Sequence, residues 1–244
     1  MVIWYRNHRY FERVLRRITM AKLIVLEGPD GVGKTTTKEV IENQLKILGK
    51  TFETARHPGE TKMGSVVRDI FISKEMDLST LARVYLIAAN KVELMRQVIN
   101  ESKADYVILD RFDLSTVIYQ SVGMMIEAGV GDDNRLVFDE AYKYIYKLLV
   151  NDIDHSKVDE INYIVLDNHD DVLDARLGER DKDAMESMGN RFHRLVREKY
   201  RDGNLIKDFI YRYPVRTTLA FTTTNSLEDI KTDMELHLGT LVGR

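Results

Sequence analysis

The sequence predicts an α/β protein of three layers, a central parallel sheet of five strands flanked by helices on both sides. Three observations lead there. Short apolar or β-branched runs alternate with longer helical stretches along most of the 244 residues. The runs KLIVLE, YVIL and INYIVL are nearly continuous in apolar residues, as strands covered on both faces are. Only three prolines occur; Pro29 and Pro58 fall in the loops after the first two strands, and no repeat, low-complexity tract or linker divides the chain.

The elements follow in order. Residues 22–27 (KLIVLE) end at a glycine and read as a buried strand. A helix follows over 34–48 and is closed by Gly49. Residues 51–56 read as the second strand, and 63–72 and 78–99 as helices. In the longer of these, Val84, Ala88, Val92, Met95 and Ile99 fall on one face. Residues 106–109 (YVIL) form a third strand that ends at Asp110. Then come a helix over 132–149, a strand over 161–166, a charged helix over 184–200, a last strand over 218–222 and a closing helix over 227–238. Residues 20–244 make one domain. The first nineteen residues carry five arginines against Glu12 and have no continuous apolar core, so they do not read as a secretory signal. They read first as an appended helix or a start assigned too early, since Met20 directly precedes the first strand. An Arg-rich presequence and a membrane-surface or nucleic-acid arm are the other readings.

Composition narrows the classes. A net charge of −3 argues against a generic nucleic-acid coat, and no apolar run approaches the roughly 20 residues of a membrane span. The absence of cysteine excludes disulfide scaffolds, cysteine-based metal sites and a thiol nucleophile, and fits a reducing compartment. The expectation is a cytoplasmic protein without nucleic-acid or membrane partners. In open parallel sheets ligands bind at the carboxyl ends of strands, so the chemistry belongs after Glu27, Arg56, Leu109 and Leu166.

Gly28-Pro29-Asp30-Gly31-Val32-Gly33-Lys34-Thr35 fits G-x-x-x-x-G-K-[ST] between a strand and a helix. The glycines let backbone N–H groups face a phosphate, and the helix N-terminus adds partial positive charge. Lys34 reaches the outer phosphates of ATP or GTP, and Thr35 offers a hydroxyl to Mg²⁺. With Thr36, residues Gly28 and Asp30 to Thr35 are the nucleotide-binding set. Asp110 ends an apolar strand and is the second candidate Mg²⁺ ligand, and Arg111 beside it can fork onto a phosphate. The fold is therefore expected to be of the P-loop type.

Four segments, in order, resemble the thymidylate kinase family. Residues 27–36 (EGPDGVGKTT) are close to its E-G-x-D/E-G-x-G-K-T-T. Arg56-His57-Pro58-Gly59-Glu60-Thr61 is similar to its R-E-P-G-G-T. Asp110-Arg111-Phe112-Asp113-Leu114-Ser115, with Tyr119-Gln120, is like its D-R-[YFH]-x-x-S…Y-Q. Arg176 to Arg180 and then residues 192–200 (FHRLVREKY) are like its lid and following helix.

The resemblance covers residues 20–244 and implies a helical lid at about 174–186. It implies transfer of the γ-phosphoryl group of ATP, with Mg²⁺, to a deoxynucleoside monophosphate, dTMP above all, by a homodimer packed through helices. It places Asp30 near the acceptor's sugar and phosphate, Arg56 and Arg111 on that phosphate, Pro58 in the acceptor loop, and Ser115 and Thr116 at the base. Tyr119 would crowd the 2′ position, and Arg176 or Arg180 would act from the lid. Gly31 stands where some members carry an arginine, which makes a lid arginine necessary. With Lys34, these residues are the catalytic candidates.

Departures from the pattern matter too. Ile87 and Lys91 stand where the family has a stacking Phe and a base-reaching Arg, on one helix face by their i,i+4 spacing. Ile cannot stack like a ring and Lys lacks the planar fork, so relaxed or altered base specificity is expected; alternatively Tyr85 or Phe112 does the stacking. His57 reads as a loop residue rather than a general base, and Glu60 adds a side chain near the acceptor loop. Asp152, Asp154 and His155 read as a solvated turn rather than a metal site. Near Thr223-Thr224-Asn225 the chain is similar to the family's loop after the last strand, which suggests base contact there. A nucleoside kinase and a non-catalytic nucleotide switch are the competing functions; neither makes use of two acceptor arginines.

Overall fold

The computed structural model describes residues 20–178, 188–223 and 226–242. β1 (Ala21–Glu27) is apolar on both sides because both sides are covered. Leu23 and Val25 point into one core, and Ile24 and Leu26 into another, as the two-residue period of a strand requires. β2 (Phe52–Arg56), β3 (Tyr106–Asp110), β4 (Val158–Asp167) and β5 (Arg216–Thr223) pair with it in the order β2-β3-β1-β4-β5, all parallel. The register aligns Leu26 of β1 and Arg56 of β2 with Asp110 of β3, so three strands end together at one edge.

The smaller core packs α1 (Lys34–Ile47) and α9 (Leu227–Val242) on one face of the sheet through Val40, Ile41, Leu45, Ile230, Met234 and Leu238. The larger core takes α2 (Lys62–Ile72), α3 (Thr80–Leu94), α4 (Asp113–Glu127), α5 (Arg135–Tyr146), α7 (Gly189–Arg201) and α8 (Gly203–Tyr211). α6 (Asp170–Gly178) follows β4. α3 and α5 each end in a single π turn, Met95–Ile99 and Lys147–Asn151. No helix among the described residues is long and apolar enough to cross a membrane.

The sequence pattern misses α4, α6 and α8. α4 has the plainest reason. Twelve of its residues are buried, on every side, so it has no amphipathic period to read. On α3 the expected face also drifts: Val92 is exposed, while Ile87, Lys91 and Leu94 are inside. A spacing of four overshoots the 3.6-residue turn by about 40° at each step. The helix expected from Asp132 begins at Arg135 instead, capped by Asn134, and Asp132 pairs with Arg191 and Arg194 of α7. Residues 1–19, 179–187 and 224–225, which include Arg180 and most of the expected lid, lie outside the described residues.

α2 begins at Thr61, whose hydroxyl accepts from Gly64 N at 2.9 Å. Gly64 itself is jammed against the preceding loop, and a Cβ there would run into the Gly59 carbonyl oxygen and the Asn90 amide. Gly64→Ala should lower stability by about 1–3 kcal/mol. An unchanged midpoint in denaturant unfolding would show that the loop yields freely.

Candidate active site

The carboxyl ends of β1, β2 and β3 open onto a cleft of about 620 Å³. Its walls are the phosphate loop with the starts of α1 and α9, the loop after β2 with α2 and α3, one face of α4, and Arg176 of α6. In the phosphate loop Gly28, Gly31 and Gly33 adopt φ of 141°, 79° and 97°, which side chains resist. Gly28 also lies so close to β4 that a Cβ would stand 2.5 Å from the Leu166 carbonyl oxygen. Val32, fully buried, anchors the loop in the smaller core. From the first turn of α1, Lys34 Nζ donates to the carbonyls of Gly28 (3.1 Å) and Pro29 (2.8 Å). Burial, with the Arg111 charge beside it, lowers its pKa to about 8 against the pull of Asp30, Asp110 and Glu27. Thr35 and Thr36 are exposed at the helix start. The loop is thus shaped for an anion before one arrives.

Arg111 occupies the centre of the cleft. Its backbone is left-handed, φ 67°, and its N–H continues onto the Leu26 carbonyl at 3.0 Å. Nη1 donates to Gly28 O and to Ser115 Oγ, both at 2.9 Å. Nη2 donates to Asp30 and to the Tyr119 hydroxyl at 3.2 Å, and the guanidinium lies 4.9 Å from the Tyr119 ring centre. Tyr119 in turn donates to Asp30 at 2.8 Å. Burial would raise the Asp30 carboxyl, but the Arg111 and Lys34 cations prevail and hold it down at about 2. Asp110 binds Arg56 through Oδ2, at 3.1 Å from Nε and 2.9 Å from Nη2, while its buried Oδ1 has no partner among the described residues. Arg176 reaches back to the Gly31 carbonyl at 3.0 Å.

The loop after β2 forms the opposite wall. His57 is buried, edge-on to Phe112 with ring centres 5.8 Å apart, and burial lowers its pKa to about 4. It is a neutral packing group at ordinary pH. Pro58 lines the cleft and accepts from Arg68 Nη1 at 3.4 Å. Glu60 keeps a left-handed backbone, φ 63°, at the position where the related pattern has glycine. Asn90 holds this loop from α3 with two reciprocal bonds to Gly59, each 3.3 Å.

Of the residues singled out from the sequence, Asp30, Gly31, Val32, Gly33, Lys34, Thr35, Thr36, Arg56, Pro58, Ile87, Asp110, Arg111, Ser115, Thr116, Tyr119 and Arg176 line this cleft. Asn90, Arg68 and Gln120 were not singled out as site residues. The Tyr-Gln pair carries a sequence signal for Gln120, and Asn90 falls in the helix stretch of Ile87 and Lys91.

Lys91 is a correction. Instead of facing a base, its side chain is fully buried, with Nζ 2.6 Å from Asp113 Oδ2, 2.6 Å from the Leu149 carbonyl and 2.9 Å from His155 Nε2. It also stands 4.6 Å from the Phe112 ring centre. Tyr213 closes the group by donating to Asp113. The physical reason lies in the acceptors. Asp113 is a buried carboxylate, and Leu149 lies in the π turn that ends α5, where carbonyls lack helical partners. A long flexible ammonium can satisfy all three at once. His155 is likewise not in a solvated turn: it is buried, and burial together with Lys91 lowers its pKa to about 4. Asp152 and Asp154 do stay at the surface, bonded to Lys147 and Ser156. No cluster of three or more metal-ligating side chains occurs among the described residues.

A phosphate loop and two arginines gathered in one cleft, at the carboxyl edge of a parallel sheet, define a P-loop phosphotransferase. Residues 26–131 match the family model of thymidylate kinase. The chain is 30% identical over 195 residues to a thymidylate kinase of Caldanaerobacter subterraneus subsp. tengcongensis, covering 79% of this chain and 85% of that one. It is 32% identical over 196 residues to one of Thermoanaerobacter sp., covering 79% and 87%. A thymidylate kinase structure from Candida albicans shares the fold, with a TM-score of 0.62 at 18% identity over 91% of this chain and 93% of that one. So does one from Ehrlichia chaffeensis, at 0.54 and 23% over 92% and 100%. The chain belongs to the thymidylate kinase family, phosphotransferases that act on a nucleoside monophosphate.

The two buried histidines carry a pH dependence. Each has a folded pKa near 4 against an ordinary 6.5, so between these values the unfolded chain binds protons that the native one does not. Stability should therefore be full above pH 6.5 and fall as pH drops toward 4, by roughly 3 kcal/mol per ring at most. His155→Gln keeps an acceptor for Lys91 and should flatten this slope in denaturant melts. An unaltered slope would mean that His155 titrates normally.

Proposed function

We propose that the protein transfers the γ-phosphoryl group of ATP to a deoxynucleoside monophosphate, dTMP foremost, with a base preference relaxed or altered from the family's. The observation that carries this reading is the single cleft in which Arg56 and Arg111 face Lys34 and the phosphate loop. A nucleoside without a phosphate, or a switch without an acceptor, would leave both arginines without a substrate group to bind. In this reading the loop amides and Lys34 hold the phosphates of ATP. Arg56 and Arg111 hold the acceptor phosphate, and Asp30 and Tyr119 orient Arg111 and border the sugar. Arg176, already against Gly31, neutralises charge on the transferring group, with Arg180 as its lid companion. Positioning and charge neutralisation are what this reaction most requires.

Mg²⁺ fits the donor set. Thr35 offers a hydroxyl, and Asp110 has a buried oxygen without a partner among the described residues, both hard ligands of the kind this ion prefers. When bound, the ion offsets negative charge on the phosphates. Altered base preference is supported by Lys91, whose ammonium is engaged away from the cleft, and by Ile87, an aliphatic side chain in the cleft wall. Thr116 and Gln120 are the polar groups left near the base side. A homodimer would use the outer face of α3 and α5. There Leu81, Tyr85, Val92 and Tyr144 are exposed, and the two tyrosine hydroxyls lie 2.7 Å apart. Cytoplasmic action, without nucleic-acid or membrane partners, completes the proposal.

The test is ATP-dependent phosphorylation of dTMP, dUMP, dGMP, dAMP and dCMP. Conversion of dTMP with measurable turnover of others is expected; strict use of dTMP would refute the altered preference, and no conversion at all would refute the kinase reading. Arg111→Ala should cut kcat/KM for the monophosphate at least about 100-fold while ATP affinity changes only a few-fold. Because Lys34 loses its proton near pH 8 in the free protein, ATP should bind more weakly as pH rises through that value. Calorimetric titration from pH 7 to 9 reads this directly, and a flat profile would mean that Lys34 keeps its proton throughout this range.

A further inference from the structure

We propose that Glu27 is a positioning residue of the transfer reaction: from the end of β1 it orients Ser115, and through Ser115 the guanidinium of Arg111. The proposal rests on the reading that Arg111 binds the acceptor phosphate. Glu27 is fully buried and is not part of the cleft wall, so any part it plays must pass through other residues.

The need for such a residue arises at the start of α4. The first N–H groups of a helix have no partners within it, and here the capping position is Phe112, whose side chain cannot accept a hydrogen bond. Glu27 supplies the missing acceptor from a different element. Its Oε1 accepts from Phe112 N at 2.9 Å and from Ser115 N at 3.2 Å. Its Oε2 accepts from the Ser115 hydroxyl, and the Tyr200 hydroxyl of α7 stands 3.1 Å away. Complete burial raises the pKa of this carboxyl, and the Ser115 hydroxyl, the Arg111 charge and the two amides pull the other way, since each favours the ionised form.

The consequence for Arg111 follows from one proton. A serine hydroxyl has one hydrogen and two lone pairs. With its hydrogen directed to Glu27, Ser115 Oγ can offer only lone pairs to the cleft, and Arg111 Nη1 donates into it at 2.9 Å. If the group at position 27 donated instead, Ser115 Oγ would spend one lone pair on it and turn its hydrogen to the Tyr200 hydroxyl, 2.8 Å away, and the bond from Arg111 would lose its link to a carboxylate. Glu27 thus fixes the place of Ser115 and ties the bond from Arg111 to a carboxylate. Arg111 needs that help, since its backbone is held at φ 67° and its guanidinium must keep one edge for the Asp30 carboxylate. Removing this charge-assisted bond chain is worth roughly 10- to 100-fold in acceptor use.

The experiment is a kinetic double-mutant cycle with E27Q, S115A and E27Q/S115A, alongside R111A, using dTMP and ATP. Glutamine keeps an oxygen for the two amides and presents its NH₂ to Ser115. Under the proposal, E27Q lowers kcat/KM for dTMP roughly 10- to 100-fold, leaves the KM for ATP within about twofold, and costs no more in the S115A background than S115A alone. Two results overturn it: a drop in melting temperature with unchanged kinetics, or losses that multiply in the double variant. Should E27Q not fold, the same cycle is run with E27D, which keeps the charge and shortens its reach by one methylene. Transfer that survives R111A would overturn the role of Arg111 itself, and this proposal with it, whereas failure of the cycle alone leaves the function standing.

Discussion

The ion pair between Arg111 and Asp30 joins the end of β3 to the phosphate loop that follows β1, and the geometry of the cleft depends on it. The parallel register already brings these strand ends side by side. The ion pair then converts two neighbouring loops into one wall, with Tyr119 bracing both partners. Ion pairs sheltered from water add little net stability, because desolvation offsets attraction. What this one contributes is preorganisation: charges stand in place before a substrate enters, so little reorganisation is left for the reaction itself.

Two buried ionisable groups, one acidic and one basic, flank the first turn of α4. Glu27 receives its amides, and Lys91 neutralises Asp113 within it. The first faces a chain of donors that leads to Arg111. The second ends in a closed group whose members, Asp113, Leu149 and His155, do not line the cleft. The same first turn therefore separates a functional polar network from a structural one, across the width of a single helix.

Much of the fold was legible because strands covered on both faces announce themselves as apolar runs, and because glycine at Gly28, Gly31 and Gly33 has a specific backbone reason. α4 was not legible, since a helix buried on all sides carries no period. The phosphate loop, Asp110, Arg111 and Tyr119 could be read from spacing and resemblance, and the structure sets them around one cleft. Lys91 could not. Its i,i+4 relation to Ile87 correctly implied a shared face, but a four-carbon stem lets the ammonium leave that face for stronger acceptors, and those come from residues 113, 149 and 155. Pattern reading sees the helix on which a residue sits, not the distant groups that compete for its charge. Asn90 escaped for a related reason: its partner is the backbone of Gly59, which carries no sequence signature.

The closed group around Lys91 has a consequence for the order in which the chain folds. Its members come from α3, the start of α4, the end of α5, the turn before β4 and Tyr213 just before β5. Contacts between such remote segments carry a large loop-closure cost and form late. Until Tyr213 docks, Asp113 and Lys91 lack part of the shell that makes their burial tolerable. Interactions that are completed only in the assembled state act on the barrier to unfolding rather than on the rate of folding.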